Sequence, residues 1–307
     1  MKLVTVVIPC FNSGLTLGQT VESVRAQTYP NLEIIVVDDG SSDPLTIRVI
    51  DRLVGVRVIR QDNAGLPAAR NKGFSNARGE YVLPLDSDDW LESDAIAHMA
   101  EALAVNPSLA FVFSNIKLEG EAGGVLRKSY NFFEQLFLNQ IPYALLLRRS
   151  VWKTVGGYDE AMRGGYEDWE FNIRLGARGY FGAPVQKILF HYRVASTGML
   201  LSKSNHLHGD LWKYIQRKNR CLYGIKNLVN LWLHWRKKNS TYPLILYFLW
   251  LFVHRVFPRN LFNFLFRSLR KHSQSHRVTK QASRAAMLDS AKVSEGDLGG
   301  SKKPRGP

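Results

Sequence analysis

The chain has 307 residues, 45% of them hydrophobic and 22% charged. That balance suits one large or two modest globular domains and excludes a disordered chain. The formal net charge is +15, but residues 203–307 hold 21 Lys and Arg against 4 Asp and Glu, whereas residues 1–202 hold 20 against 22. A basic appendage of this kind suits an acidic membrane surface or nucleic acid.

Met1-Lys2 leads straight into Val4-Thr5-Val6-Val7-Ile8-Pro9. The segment lacks the apolar stretch and cleavage site of a signal peptide, and its β-branched run predicts a buried strand. Two cysteines, Cys10 and Cys221, show neither metal spacing nor a disulfide framework, which suits a reducing, cytoplasmic compartment. Leu17, Val21 and Val24 recur at helical spacing and predict a helix over 15–27. Leu32 to Val37 reads as a second buried strand, followed by Asp38-Asp39-Gly40-Ser41. Those acids fit an N-capping turn or a nucleotide site, where a carboxylate accepts from a base N–H or a ribose hydroxyl.

A helix over 45–53 and a strand over 56–59 follow, then a glycine-containing loop from Gln61 to Gly73. Its Arg70 and Lys72 suit either a solvated surface or a diphosphate, which Arg's donor fork matches well. Tyr81 to Leu85 predicts a fourth strand that ends in Asp86-Ser87-Asp88-Asp89. Three carboxylates so close repel one another unless a cation lies between them. Asp86 and Asp88 therefore read as a metal–diphosphate platform at the carboxyl edge of an α/β sheet, or else as a solvated turn capping the next helix. The alternation so far predicts a doubly wound, mainly parallel sheet. An Ala-rich helix over 94–104, a strand over 109–113 and a polar excursion over 118–128 come next. An aromatic, apolar stretch over 130–155 leads to the turn Gly156-Gly157-Tyr158-Asp159-Glu160. Glu167 and Asp168 open a helix with Phe171, Ile173 and Leu175 facing the core. As acids in a first turn they favour the helix; one of them also suits a general base. Residues 183–192 form the last predicted strand, ending His191-Tyr192-Arg193.

Several of these blocks together resemble inverting family 2 glycosyltransferases of the GT-A fold. The matching residues are Val6-Val7-Ile8-Pro9 with Asn12, Val36 to Ser41, Asn63-Ala64-Gly65, Ala69 to Gly73, Gly79-Glu80-Tyr81, Leu85 to Asp89, Gly156 to Glu160 and Glu167-Asp168-Trp169. The resemblance spans roughly residues 3–200. It implies a nucleobase pocket lined by Pro9 and Phe11, with Asp39 accepting from a base, most often uracil, and Asp38 supporting the turn. It puts Arg70 near the nucleotide. Asp86 and Asp88 become the Asp-x-Asp pair, with Asp88 on Mn²⁺ or Mg²⁺ and Asp86 reaching ribose or metal. Asp168 becomes the catalytic base, and His191 and Arg193 contact diphosphate or metal. The closing segment, Val194 to Met199, departs from the family's pattern. The implied activity is transfer of a sugar from a nucleotide donor, UDP-linked by expectation, to a glycan or lipid-linked acceptor. A sugar nucleotidyltransferase and a non-catalytic binding protein on the same scaffold are the competing readings.

The expected organisation is a catalytic domain over 1–203, a helical extension over 204–270 and a basic disordered tail over 271–307. The extension alternates Trp212, Tyr214, Trp232 and Trp235 with basic clusters, and its longest uncharged apolar run is Tyr242 to Val253. That run is short of the ~20 residues a spanning helix needs. Helices lying in a membrane interface and helices covering the catalytic domain both fit this pattern. Nucleic-acid binding lacks a recognition motif. The expected location is therefore the inner face of a membrane, held peripherally by an anionic surface.

Overall fold

The first strand, β1 (Val4–Cys10), is buried at every position because it lies mid-sheet, between β2 (Leu32–Asp38) and β4 (Tyr81–Pro84). The computed structural model describes residues 1–195, 207–237 and 243–256. The expected tail over 271–307, residues 196–199 of the closing segment, and residues 204–206, 238–242 and 257–270 of the expected extension lie outside them. Between and after those strands the chain forms α1 (Leu17–Arg25), α2 (Pro44–Asp51), β3 (Arg57–Arg60), α3 (Leu66–Asn76), β5 (Trp90–Leu91), α4 (Ala95–Val105), β6 (Phe111–Gly120) and β7 (Gly124–Leu126). Then come α5 (Phe132–Gln135), β8 (Leu145–Arg148), α6 (Arg149–Val155), α7 (Glu167–Ala177), β9 (Gly182–Val194), α8 (His208–Lys218), α9 (Ile225–Trp235) and α10 (Leu244–Val256).

One sheet runs β3-β2-β1-β4-β8-β6-β9-β5, with β7 paired to β6. The first four strands are parallel, and the apolar runs of β1, β2 and β4 are buried in the sheet, whereas β3 at its edge is Arg57-Val58-Ile59-Arg60 with both ends exposed. β8 lies antiparallel to both β4 and β6, while β6 and β9 are parallel. The sheet is thus mainly parallel with β5, β7 and β8 reversed. Residues 130–155 do not reveal β8, because four apolar residues inside a longer aromatic stretch carry no periodicity of their own. The predicted excursion over 118–128 is instead the end of β6 and its hairpin with β7.

Register decides what meets at the sheet edge. Val4 pairs with both Leu32 and Tyr81, and Cys10 with Asp38, so the acidic ends of β2 and β4 emerge at the same edge of the sheet, one on each side of β1. α3 lies directly on β1: a Cβ at Gly73 would stand 2.2 Å from Val7 Cγ1. The two-residue β5 pairs Trp90 with His191, bringing the end of β9 beside the acidic turn.

The C-terminal helices α8 to α10 belong to the same compact unit as the sheet. Trp212, Ile215, Leu228, Trp235 and Tyr247 are buried. Trp212 Nε1 and Tyr223 Oη donate to the Leu136 carbonyl at 3.3 and 2.9 Å, and Asn131 Nδ2 donates to the Trp235 carbonyl at 3.1 Å. Burying one such aromatic removes about 150–250 Å² from water, at most roughly 4–6 kcal/mol. Among the described residues no helix is long and apolar enough to cross a membrane.

Candidate active site

The carboxyl edge of the sheet begins at β1 and β2. Pro9 is buried in β1, and Phe11 just beyond it is 49% exposed. Asn12 adopts φ 51°, a left-handed conformation that Asn tolerates better than most side chains. In it Oδ1 accepts from the Ser42 and Asp43 amides, each at 2.9 Å. Asp38 Oδ1 accepts from the Ser41 amide at 3.0 Å, which stiffens that turn. Asp39 is buried; Oδ1 accepts from Gln61 Nε2 at 2.7 Å and the Ala64 amide at 2.8 Å, and Oδ2 from the Gly65 amide at 2.8 Å. It fastens the loop before α3 to the end of β2. A carboxylate has about four acceptor positions, so Oδ2 keeps capacity for one further donor.

The three acids after β4 occupy three environments. Asp89 is buried, accepts from the Tyr143 hydroxyl, and accepts from the Arg193 amide at 2.6 Å. Burial pushes its carboxyl well above the usual range, and the charges of Asp88 and Asp86 add to this. Tyr143 Oη also accepts from the Asp86 amide at 3.1 Å, so one phenol braces the whole turn. Asp86 Oδ1 accepts from Arg70 Nη2 at 2.6 Å. Asp88 is pushed up to about 6 by burial and by Asp86. Among the described residues, no other residue donates a hydrogen bond to its carboxylate.

That pattern fits a divalent cation held jointly with a substrate. Among the described residues no cluster of three or more His, Cys, Asp or Glu could hold a metal. Mg²⁺ characteristically takes only one or two carboxylates and completes its shell with phosphate and water. Asp88, with the unshared oxygen of Asp86 beside it, could supply those carboxylates.

Arg70 departs from expectation. It is 1% exposed, donates from Nη2 to Asp86 and from Nη1 to Glu167 Oε1, each at 2.6 Å, and lies over the rings of Tyr143 and Tyr158 at 4.8 and 5.6 Å. A guanidinium enclosed in this way is not displayed to a nucleotide. It is a strut between the acidic turn and the start of α7. Neighbouring Asn71 joins α3 to the glycine turn: Oδ1 accepts from the Tyr158 amide at 2.8 Å, and Nδ2 donates to the Tyr158 carbonyl and Glu160 at 2.9 Å.

Tyr166 precedes α7 with φ 64°, a strained conformation for a bulky residue and one that clusters at functional sites. It delivers Glu167 and Asp168 to different surroundings. Glu167 is buried against Arg70; burial pushes it up to about 7, while the guanidinium opposes the rise. Asp168 is half-buried. Its Oδ1 accepts from the Trp169 amide at 2.7 Å and its Oδ2 from Asn139 Nδ2 at 2.9 Å. Burial raises its pKa, and Arg70 and Asn139 hold the rise back. Asp168 is thus the more accessible acid at this edge, and Glu167 its anchor.

His191 is also differently engaged from the expected diphosphate or metal contact. Its Nε2 meets Glu92 Oε1 at 2.7 Å and its Nδ1 meets Glu119 Oε1 at 3.0 Å, and its ring stacks on Trp90. Both nitrogens are occupied by protein carboxylates. Arg193 donates from Nε to the Asp88 carbonyl at 2.9 Å and from Nη2 to Gln19 at 2.6 Å, with its guanidinium over Trp90. It supports the backbone of the acidic turn. Tyr143 and Asn139 escape sequence reading, since their partners Asp89 and Asp168 lie 54 and 29 residues away in the chain.

The sheet, with acids at the carboxyl ends of β2 and β4 and a carboxylate at the start of α7, defines a GT-A glycosyltransferase architecture. Staphylococcus aureus TarS, solved as residues 1–349 in complex with UDP-GlcNAc, aligns at a TM-score of 0.61 and 18% identity over 75% of this chain and 69% of that one. At that identity the likeness shows the fold. Residues 5–167 match Glycosyl transferase family 2, and the chain belongs to that family. Similar proteins include the chondroitin synthase of Pasteurella multocida, 29% identical over 59% of this chain and 20% of the synthase. The glycosyltransferase GlyG of Streptococcus pneumoniae is 43% identical over 31% of this chain and 33% of its own length. The chain thus spans about a fifth to a third of the length of these relatives.

Proposed function

We propose that the chain is a metal-dependent, inverting glycosyltransferase that moves a sugar from a UDP-linked donor to a glycan or lipid-linked acceptor. One observation carries this reading: Arg70 ties Asp86, beside the candidate cation ligand, to Glu167, beside the candidate base, on one buried frame. Single displacement at an anomeric carbon needs two groups in fixed relation. One accepts the proton of the attacking hydroxyl; the other neutralises the charge that grows on the departing diphosphate.

Asp168 takes the proton at a carboxylate oxygen, oriented by the Trp169 amide and Asn139. Asp88 and Asp86 would hold Mn²⁺ or Mg²⁺, which when bound supplies charge stabilisation at the diphosphate without proton transfer. Pro9, Phe11 and the open acceptor position of Asp39 receive the base. The UDP-GlcNAc bound to TarS and the synthase names among the relatives support a nucleotide-sugar donor and a role in polysaccharide assembly. The same reading places the enzyme on an anionic membrane surface facing the cytoplasm, through its basic C-terminal region.

Calorimetric titration with UDP, GDP, dTDP and CDP, each with and without Mn²⁺, tests it. Selective, Mn²⁺-dependent binding of UDP is expected. Equal affinity for UDP with and without the metal would refute the cation assignment, and preference for another nucleotide the UDP assignment.

A further inference from the structure

We propose that the outward face of α10 is the docking surface for an anionic lipid bilayer. This narrows the membrane reading above from the whole C-terminal region to one helix face. It rests on that reading for its partner but not on the donor or the chemistry.

Trp212 in α8 and Trp235 in α9 are buried against the catalytic domain, as is Tyr223 between the two helices, and these three cover core; Tyr214 of α8 is 40% exposed but donates to Asp159 Oδ2 at 2.8 Å. α10 differs. Tyr247 faces the domain, donating to Glu134 Oε1 at 2.8 Å and meeting the rings of Phe133 and Phe137, each at 4.9 Å. On the far side Ile245, Leu249, Phe252 and Val256 follow at intervals of four, three and four residues, a single helical stripe, with Leu246 beside it. These five side chains are 45–60% exposed. A helix packed by one face on a domain ordinarily carries polar residues on the other. Here no charged residue occurs from Pro243 through Val253. A contiguous apolar face of this kind marks an interaction site.

Charge selects the partner. Arg236 and Lys237 are exposed at the end of α9, just upstream. By sequence, residues 257–307, just downstream, add 11 Lys and Arg against 3 Asp and Glu. An apolar stripe between basic flanks matches a bilayer that is apolar inside and anionic at its surface. At 13 residues α10 is too short to span one, so it lies in the interface. The Tyr247–Glu134 bond makes the docked helix part of the catalytic domain rather than a loose anchor.

The full chain would be sedimented with vesicles of phosphatidylcholine alone and of equal parts phosphatidylcholine and phosphatidylglycerol, as wild type and as Leu249→Glu/Phe252→Glu. Wild type is expected to partition onto the mixed vesicles only, and less at high salt. The double variant is expected to lose roughly tenfold or more in partitioning while keeping Mn²⁺-dependent UDP binding. Phe252→Trp, which keeps the face apolar, should add fluorescence that brominated lipid quenches, and it serves if the charged variant does not fold. Unchanged sedimentation of the double variant, or no quenching at position 252, overturns the assignment. So does a wild-type dimer that the double variant dissociates without loss of vesicle binding, since the face would then belong to a second copy. Wild type that ignores anionic vesicles yet binds UDP overturns the docking surface and leaves the transferase reading standing.

Discussion

Replacing Arg70 with Met tests the strut that organises the site. The substitution keeps much of the volume but removes two ion pairs of 2.6 Å from a position that is 1% exposed. Breaking a buried pair by deleting one partner costs about 3–5 kcal/mol, because the remaining charge is stranded. Here Glu167 is the stranded group; Asp86 is partly exposed and can hydrate. At roughly 2 °C per kcal/mol for a chain of this size, the melting temperature should fall by about 6–10 °C. The pH dependence identifies the cause. Burial already lifts Glu167 to about 7, and Arg70 is the force that opposes it; without Arg70 its pKa rises further. A carboxyl with a raised folded-state pKa binds more protons when folded, so stability declines as pH rises from its unfolded to its folded value. Wild type and variant should share that decline up to about pH 7, and only the variant should continue to lose stability above it. Arg70→Met/Glu167→Gln should recover part of the loss at high pH. Urea denaturation of the three proteins at about pH 6 and about pH 8.5 measures this directly. A deficit under 1 kcal/mol, or one that does not grow with pH, would show that Arg70 is not holding Glu167 and would refute the frame.

Asp88→Asn should abolish Mn²⁺-dependent UDP binding by calorimetry and leave the melting temperature nearly unchanged, since the carboxylate takes no hydrogen bond from another described residue. Asp168→Asn should keep that binding and lose transfer by about 10²-fold or more, the usual contribution of a positioned base; normal turnover would exclude it. Asn139→Ala should move the acid limb of the rate profile to higher pH. The base works ionised, Asn139 lowers its pKa by donating to Oδ2, and removing that donor raises it. An unmoved acid limb would separate Asn139 from Asp168.

Much of this protein is determined by sequence alone, because the determinants are local. A β-branched run makes β1, largely apolar runs make β2 and β4, helical spacing makes α1, and carboxylates at strand ends announce the acidic edge. Asp38, Asp39, Asp86, Asp88 and Asp168 all lie at that edge. Tertiary structure decided which of the charged groups remain available. Arg70 and His191 read from sequence as ligand contacts, yet folding encloses each between carboxylates distant in the chain, Glu167 for one and Glu92 and Glu119 for the other. Asn139 and Tyr143 carry no local signal; the segment between α5 and β8 sets them beside Asp168 and Asp89. The aromatic C-terminal helices show the same division. Composition makes them amphipathic, but only packing settles that Trp212 and Trp235 cover the domain while the stripe from Ile245 to Val256 faces out. A side chain's neighbours along the chain follow from sequence, whereas its neighbours across the sheet depend on register and burial, and those set whether a charge is free to meet a ligand.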